Sequence, residues 1–443
     1  MPSAAPVHAP PPQMPGYLVD NHDAQQLRQD VANLIGRDNP RFPGAQPVSF
    51  SREHIAELQR AEYFMCEKTD GLRCLLYMAF TEDATGRFEP VTFLIDRKNN
   101  YYNVQPAVRV PFWEQPKNPD AFLYGTILDG ELVNDQYPGE ATPRLIYYVF
   151  DCLTLNGDNL TPKTFDKRFA RLRDWVLAPY NSSLPKTAVH IPPFRLREKN
   201  MWPQYSFRHT FDQVLPNLRH GNDGLIFTCK ATRYEFGTDR HTLKWKPPHE
   251  NTIDFKLRLG EFPLIDPQDG EDGPIPDYTA IPAPITLLVQ HNKNQYEPFA
   301  ELALTPAEWH VLMSLDQRLD GRIIECYRTP QGQWKYKAEA DGSPRWRDDK
   351  KDANHISTVN SVLESIENPV TEDDLRAMEP RLKEAVYRLQ GREPPKADGE
   401  RDPKKRKVDE AGLNGNANGS VLGRVGLGRI AAFFASWTGD AER

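Results

Sequence analysis

The stretch EKTDGLRCLLYMAF (67–80) joins a polar turn to an unbroken apolar run. The run LRCLLYMAF (72–80) reads as a strand. Just ahead of it, Lys68 stands two residues before an Asp-Gly turn, and Arg73 enters the strand. A lysine acts as a nucleophile only when unprotonated, which requires desolvation or nearby positive charge. A tight turn before a strand exposes such an amine and sets a guanidinium within reach of a phosphate. The tetrapeptide KxDG alone also fits a solvated turn lysine.

Around it, VTFLID (91–96), RLIYYVF (144–150) and GLIFTC (224–229) read as further strands, and a short helix is expected near residues 22–36. Phe165, Phe169, Leu172 and Val176 fall on one helical face. Strands outnumber helices, so the fold class is α+β with antiparallel sheets. A second unit begins near residue 251, with strands TIDFKLRL (252–259), ITLLVQ (285–290) and GRIIECYR (321–328). Its helix TPAEWHVLMSL (305–315) opens on Thr305 as cap, with Pro306 in the first turn and Glu308 three residues after the cap. Several strands and one helix in so short a span suit an OB-fold barrel. The helical stretch TEDDLRAMEPRLKEAVYRL (371–389) closes this unit. The expected organisation is a disordered tail over 1–20, a first domain over 21–250, a second over 251–390, and a disordered tail over 391–443.

Composition narrows the function. The 443 residues carry a net charge of −7 and 40 prolines. An acidic balance argues against a protein that grips long nucleic acid by its backbone, but not against one that touches a single RNA end through a local basic cleft. Five scattered cysteines without CxxC spacing argue against a disulfide framework or a zinc site. No apolar run reaches the length of a membrane span.

Further polar islands each close an apolar run. LDGELV (128–133) offers Glu131, YYVFDCLTLNG (147–157) sets Phe150 at a strand end, and NDGLIF (222–227) offers Asp223. LKWKP (243–247) places Lys244 and Lys246 on one face of an extended segment, and RWRDDKKDANH (345–355) gathers Arg345, Arg347, Lys350 and Lys351.

In this order the islands resemble the covalent nucleotidyltransferases, the superfamily of mRNA-capping enzymes and ATP- or NAD-dependent ligases. RWRDDKKDANH, and NTIDFKL (251–257) after KWKP, resemble the fungal-type capping branch. The resemblance implies a nucleotidyltransferase domain followed by an OB-fold domain, and a GTP:RNA guanylyltransferase. Its covalent intermediate would be lysyl-GMP on Lys68, and its acceptor a 5′-diphosphate RNA end. It further implies that Lys244 and Lys246 neutralise the α-phosphate, that Arg73 holds the nucleotide or RNA end, and that Arg347 and Lys350 serve the outer phosphates once the domains close. Glu131 and Arg97 (in FLIDRKNNYY, 93–102) would meet the ribose, Phe150 would stack on guanine, and Lys199 (in FRLREKNMW, 194–202) would donate to guanine O6. Asp254 would order Lys246.

A divalent cofactor, Mg²⁺ or Mn²⁺, is expected with Glu131 and Asp223 as candidate ligands. No cysteine-phosphatase motif is present, so a separate RNA 5′-triphosphatase subunit is an expected partner, and the resemblance implies the phosphorylated C-terminal domain of RNA polymerase II as a further one. PKKRKV (403–408) resembles a nuclear import signal. Two alternatives remain at this point: an ATP-dependent RNA or DNA ligase, and an inactive OB-fold scaffold.

Overall fold

The computed structural model describes residues 9–82, 85–118, 120–184, 192–266, 273–339 and 341–393. The basic cluster at 403–408 and the apolar tail positions Ile430, Phe433, Phe434 and Trp437 lie outside them. The described residues up to Glu393 belong to one compact unit.

Two sheets build its first part. One runs in the spatial order Tyr17–Leu18, Tyr101–Val104, Phe88–Ile95, Leu72–Glu82, Thr126–Asp135, Arg144–Leu155 and Arg195–Glu198. The other runs Trp202–Pro203, Tyr63–Thr69, Asn222–Cys229, Gly237–Trp245 and Ala45–Ser49. Pairing is antiparallel except where Arg195–Glu198 meets Arg144–Leu155 and where Ala45–Ser49 meets Gly237–Trp245.

The run LRCLLYMAF is continuous, not alternating, because its strand is covered on both faces. Cys74, Leu76 and Met78 face a core shared with Phe165, Phe169, Leu172 and Val176 of the helix that starts at Phe165. Leu75 and Tyr77 face a second core with Ala24 and Val31 of the helix Asn21–Leu34. Strand Tyr63–Thr69 lies in one sheet and Leu72–Glu82 in the other. The Asp70-Gly71 turn is therefore where the chain crosses between sheets. A Cβ on Gly71 would lie 2.5 Å from the Leu132 carbonyl oxygen, so only glycine permits that crossing.

The second part is a five-stranded barrel in the order Gln295–Glu301, Thr286–Asn292, Ile253–Arg258, Ile323–Arg328 and Trp334–Tyr336. A parallel bridge between Leu302 and Trp334 joins its two edges. The helix Pro306–Ser314, capped by Thr305 and Glu308, joins Gln295–Glu301 to Ile323–Arg328 and puts Trp309 and Leu312 into the barrel core. This strand order, closure and helix position are those of an OB-fold.

Two expectations change. Residues 9–20 are not a free tail: Tyr17–Leu18 adds a strand to the first sheet, and the Asn134 side chain donates to the Pro10 carbonyl at 3.0 Å. Residues 1–8 lie outside the described chain. The helix Glu372–Leu389, grouped above with the barrel, buries Leu375 and Leu382 against Phe50, Phe211 and Trp245 of the first part. Its apolar face matches the open side of the second sheet, and the Trp245 indole donates to the Val370 carbonyl at 2.7 Å.

Candidate active site

Lys68 and Lys246 meet on one carboxylate. Asp223 accepts from Lys68 Nζ at 2.6 Å through Oδ1, and its Oδ2 lies 2.7 Å from Lys246 Nζ. A bulge produces this arrangement: pairing between Asn222–Cys229 and Tyr63–Thr69 shifts between Asn222 and Leu225, which turns Asp223 out of the ladder toward both lysines. Gly224 within the bulge has φ 139°, and a Cβ there would lie 2.0 Å from the Trp245 carbonyl oxygen. Burial alone would raise the Asp223 carboxyl, but the two ammonium groups hold it below its ordinary value.

Behind Lys68 lies a cavity of about 150 Å³ between the two sheets. Arg73, Glu131 and Phe150 line it from the first sheet, and Lys68 and Ile226 from the second, with Arg97 and Lys199 completing the wall. Six sequence-selected residues thus line one chamber, Lys68, Arg73, Arg97, Glu131, Phe150 and Lys199, and a seventh, Asp223, binds Lys68. Phe150 and Ile226 bring an aromatic and a branched apolar side chain from different sheets. Ile226 went unselected because an isoleucine in an apolar strand carries no sequence signal of its own.

Lys199 is no surface lysine. It is 3 % exposed, lies 2.7 Å from Glu67 and donates to the Thr69 hydroxyl. Glu67 also faces His220, whose Nε2 lies 3.7 Å from it, while His220 Nδ1 is 2.8 Å from Asp135. Burial would raise the Glu67 carboxyl, yet Lys199 and His220 bring it down to about 2. Removing one member alone would strand a charge in the interior, at a cost of about 3–5 kcal/mol. Glu67 was missed because it neighbours Lys68 on a strand, where alternation sends the two side chains to opposite faces.

Arg73 is committed differently from the sequence expectation. Its guanidinium makes a fork with Asp129, 3.1 Å from Nε to Oδ1 and 2.7 Å from Nη2 to Oδ2, and also donates to the Ala45 carbonyl. Its remaining face lies over the Phe150 ring, 5.5 Å from the centroid. Arg73 therefore braces the floor of the cavity and steadies Phe150. Asp151 does similar work, held by Arg168 at 2.8 and 2.7 Å. Arg97 is exposed at the cavity wall and has no hydrogen bond or ion pair among the described residues; partial desolvation of its guanidinium and then the neighbouring Arg73 push it below the ordinary value. An anion entering the cavity would relieve both effects.

On the barrel, Asp254 does not order Lys246. It accepts from Arg347 at 3.2 Å and pairs with Lys350, while Arg347 also reaches Asp349 at 3.0 Å. The segment approaches the first part directly: Lys98 Nζ donates to the Asp348 carbonyl at 3.2 Å. Lys244 has no ion pair among the described residues. Its amine is pushed down to about 8 by burial and then by the charges of Lys246, Lys68 and Lys350. Lys244 should therefore lose its proton as pH rises through about 8, removing a positive charge from the free site. We expect kcat/KM for the nucleotide to carry a falling limb near that pH. In Lys244→Arg, whose guanidinium stays charged, the limb should move upward. An unmoved limb would assign it to another group.

For a divalent ion the two candidate carboxylates differ. Each Asp223 oxygen already meets one lysine, so an ion there would share the carboxylate with Lys68 and Lys246. Glu131 fits: it has no hydrogen bond or ion pair among the described residues, and burial raises its carboxyl despite Lys199, Lys68, Arg97 and Arg73 around it.

Comparison with known proteins gives the family. The model for the mRNA capping enzyme catalytic domain matches residues 12–248, and that for the mRNA capping enzyme C-terminal domain matches residues 250–376. This chain belongs to the mRNA-capping enzyme family. The mRNA-capping enzyme subunit alpha of Schizosaccharomyces pombe is 42% identical, over 84% of this chain and 89% of that one. Its Neurospora crassa counterpart is 40% identical over 84% and 92%, and that of Saccharomyces cerevisiae 35% over 82% and 84%. The activity that goes with the family is mRNA guanylyl transfer, and the ligase alternative gives way to it. In this capping enzyme the matched boundary at 248–250 coincides with the turn between the Lys246 strand and the barrel.

Proposed function

We propose that Lys68 carries the GMP. Its amine attacks the α-phosphorus of GTP in line with departing pyrophosphate, leaving a lysyl-GMP phosphoramidate. A terminal oxygen of the RNA 5′-diphosphate then attacks that phosphorus, breaks the P–N bond and restores the lysine. The observation that supports this most is the sharing of Asp223 by Lys68 and Lys246 at the mouth of the cavity. Once Lys68 has lost its proton, one remaining N–H still donates to Asp223, which aims the lone pair toward the phosphorus. Lys244 and Lys246 stabilise charge on the α-phosphate. Phe150 and Ile226 hold the guanine between them, Lys199 donates to its O6, and Glu131 and Arg97 meet the ribose.

Nucleotidyltransferases of this superfamily generally use a divalent ion. When bound at Glu131, Mg²⁺ or Mn²⁺ would neutralise phosphate charge. We assign a separate RNA 5′-triphosphatase as partner, because the fungal relatives are named as alpha subunits. Docking on the phosphorylated RNA polymerase II tail and residence in the nucleus are part of the same proposal, the latter supported by PKKRKV. No helix among the described residues is long and apolar enough to cross a membrane.

Incubation with α-labelled GTP or ATP tests the assignment. Label from GTP alone, stable to denaturation, is expected. Label from ATP would restore the ligase reading, and none from either would favour the scaffold.

A further inference from the structure

Outside the cavity, the guanylyl-transfer site continues into a group of side chains that the chemistry above does not use. Tyr137 follows the strand Thr126–Asp135, and three guanidinium groups meet its ring. Arg219 lies 3.9 Å from the centroid, Arg144 4.4 Å and Arg197 5.9 Å. Arg197 also donates to the Tyr137 hydroxyl at 2.7 Å. Arg144 is paired with Glu140 and Arg197 with Asp135. Arg219 is exposed and has no carboxylate partner among the described residues.

Backbone hydrogen bonds tie this group to the nucleophile turn. Gln136 N–H donates to the Arg219 carbonyl at 2.8 Å, and Asp70 N–H to the Gly221 carbonyl at 2.9 Å. Arg219 is four residues from Asp223, so their Cα atoms are at most about 14 Å apart. Next to Arg219, His220 is buried in the Glu67–Asp135 network, which fixes the local backbone and sends the Arg219 side chain outward.

Exposed guanidinium planes over an aromatic ring add little to a core. They do offer flat cationic faces, on which unpaired bases stack and to which phosphates bind. In a chain of net charge −7 their place beside the transferring lysine is specific. We propose that the Tyr137–Arg219 platform seats the nucleotides that follow the 5′ end of the acceptor RNA, bases on the guanidinium planes and a backbone phosphate on Arg219. The proposal rests on guanylyl transfer to RNA.

The test uses the full chain and its two half-reactions. In Arg219→Ala and Arg219→Glu, adduct formation from GTP should match wild type, and so should attack on the adduct by pyrophosphate, which carries no nucleotides. Transfer to a diphosphate-ended hexanucleotide should show KM raised about tenfold, with kcat little changed. The logarithmic salt slope of RNA binding should become shallower by roughly 0.7 in Arg219→Ala. Tyr137→Leu, which removes the ring but keeps an apolar body, should raise the same KM. An unchanged KM for the hexanucleotide would overturn the seat and leave the platform to another ligand, such as a phosphorylated protein. Equal losses with pyrophosphate and hexanucleotide would also overturn it, by placing the defect in the chemistry. A wild-type protein that forms no adduct would overturn guanylyl transfer and the seat together.

Discussion

Lys68→Arg should carry no covalent GMP, with adduct below about a thousandth of the wild-type level after exposure to labelled GTP. The guanidinium would keep the positive charge and a hydrogen bond to Asp223, and it reaches about as far as the lysine amine. What it lacks is a free lone pair at any accessible pH. The substitution therefore separates the two roles of a lysine beside a phosphate, counter-ion and nucleophile. Lys68→Ala should give the same absence of adduct, but it also leaves Asp223 with one cation in place of two, so the arginine variant is the sharper comparison. Denaturing electrophoresis of the labelled protein measures both. Label retained on Lys68→Arg would assign the nucleotide to another residue, with Lys246 the first to examine because it shares the same carboxylate.

The second large effect is expected at the barrel. Lys350→Ala should slow adduct formation from GTP by about a hundredfold or more, the scale of removing one group that stabilises transition-state charge. Transfer of GMP from preformed adduct to RNA should change little. The physical reason is the inventory of phosphates: pyrophosphate leaves in the first step and is absent from the second. Asp254 keeps Lys350 and Arg347 together on one carboxylate, so the pair is positioned before the nucleotide arrives. The contact of Lys98 with the Asp348 carbonyl shows that this segment already reaches the first part. Single-turnover measurement of each half-reaction decides the matter. Equal losses in both would contradict assignment of Lys350 to the leaving group.

The place of Lys68 at the cavity was legible because a lysine before an Asp-Gly turn and a strand is a local arrangement, and because the other polar islands follow in a fixed order. The OB-fold was legible from its strand pattern and from the Thr305–Glu308 cap, both set by residues a few positions apart. The run LRCLLYMAF was legible as a strand, and its burial on both faces emerged only with the two cores that cover it.

Partnership was not legible, because pairing depends on distance in space. Arg73 bonds Asp129 across 56 positions, Asp254 holds Lys350 across 96, and Lys199 reaches Thr69 across 130. Local sequence gave each of these residues its charge and its strand or turn, but not the identity of the opposing group. Asp223 shows the limit most clearly. Its sequence marks an acid before a strand, and only the bulge at Gly224 turns it toward Lys68 and Lys246. Sequence by itself determined which side chains this capping enzyme has for phosphoryl chemistry and in what order its strands come. The packing of two sheets against each other decided which charges neutralise one another and which, such as Lys244, Arg97 and Glu131, have no ion partner among the described residues.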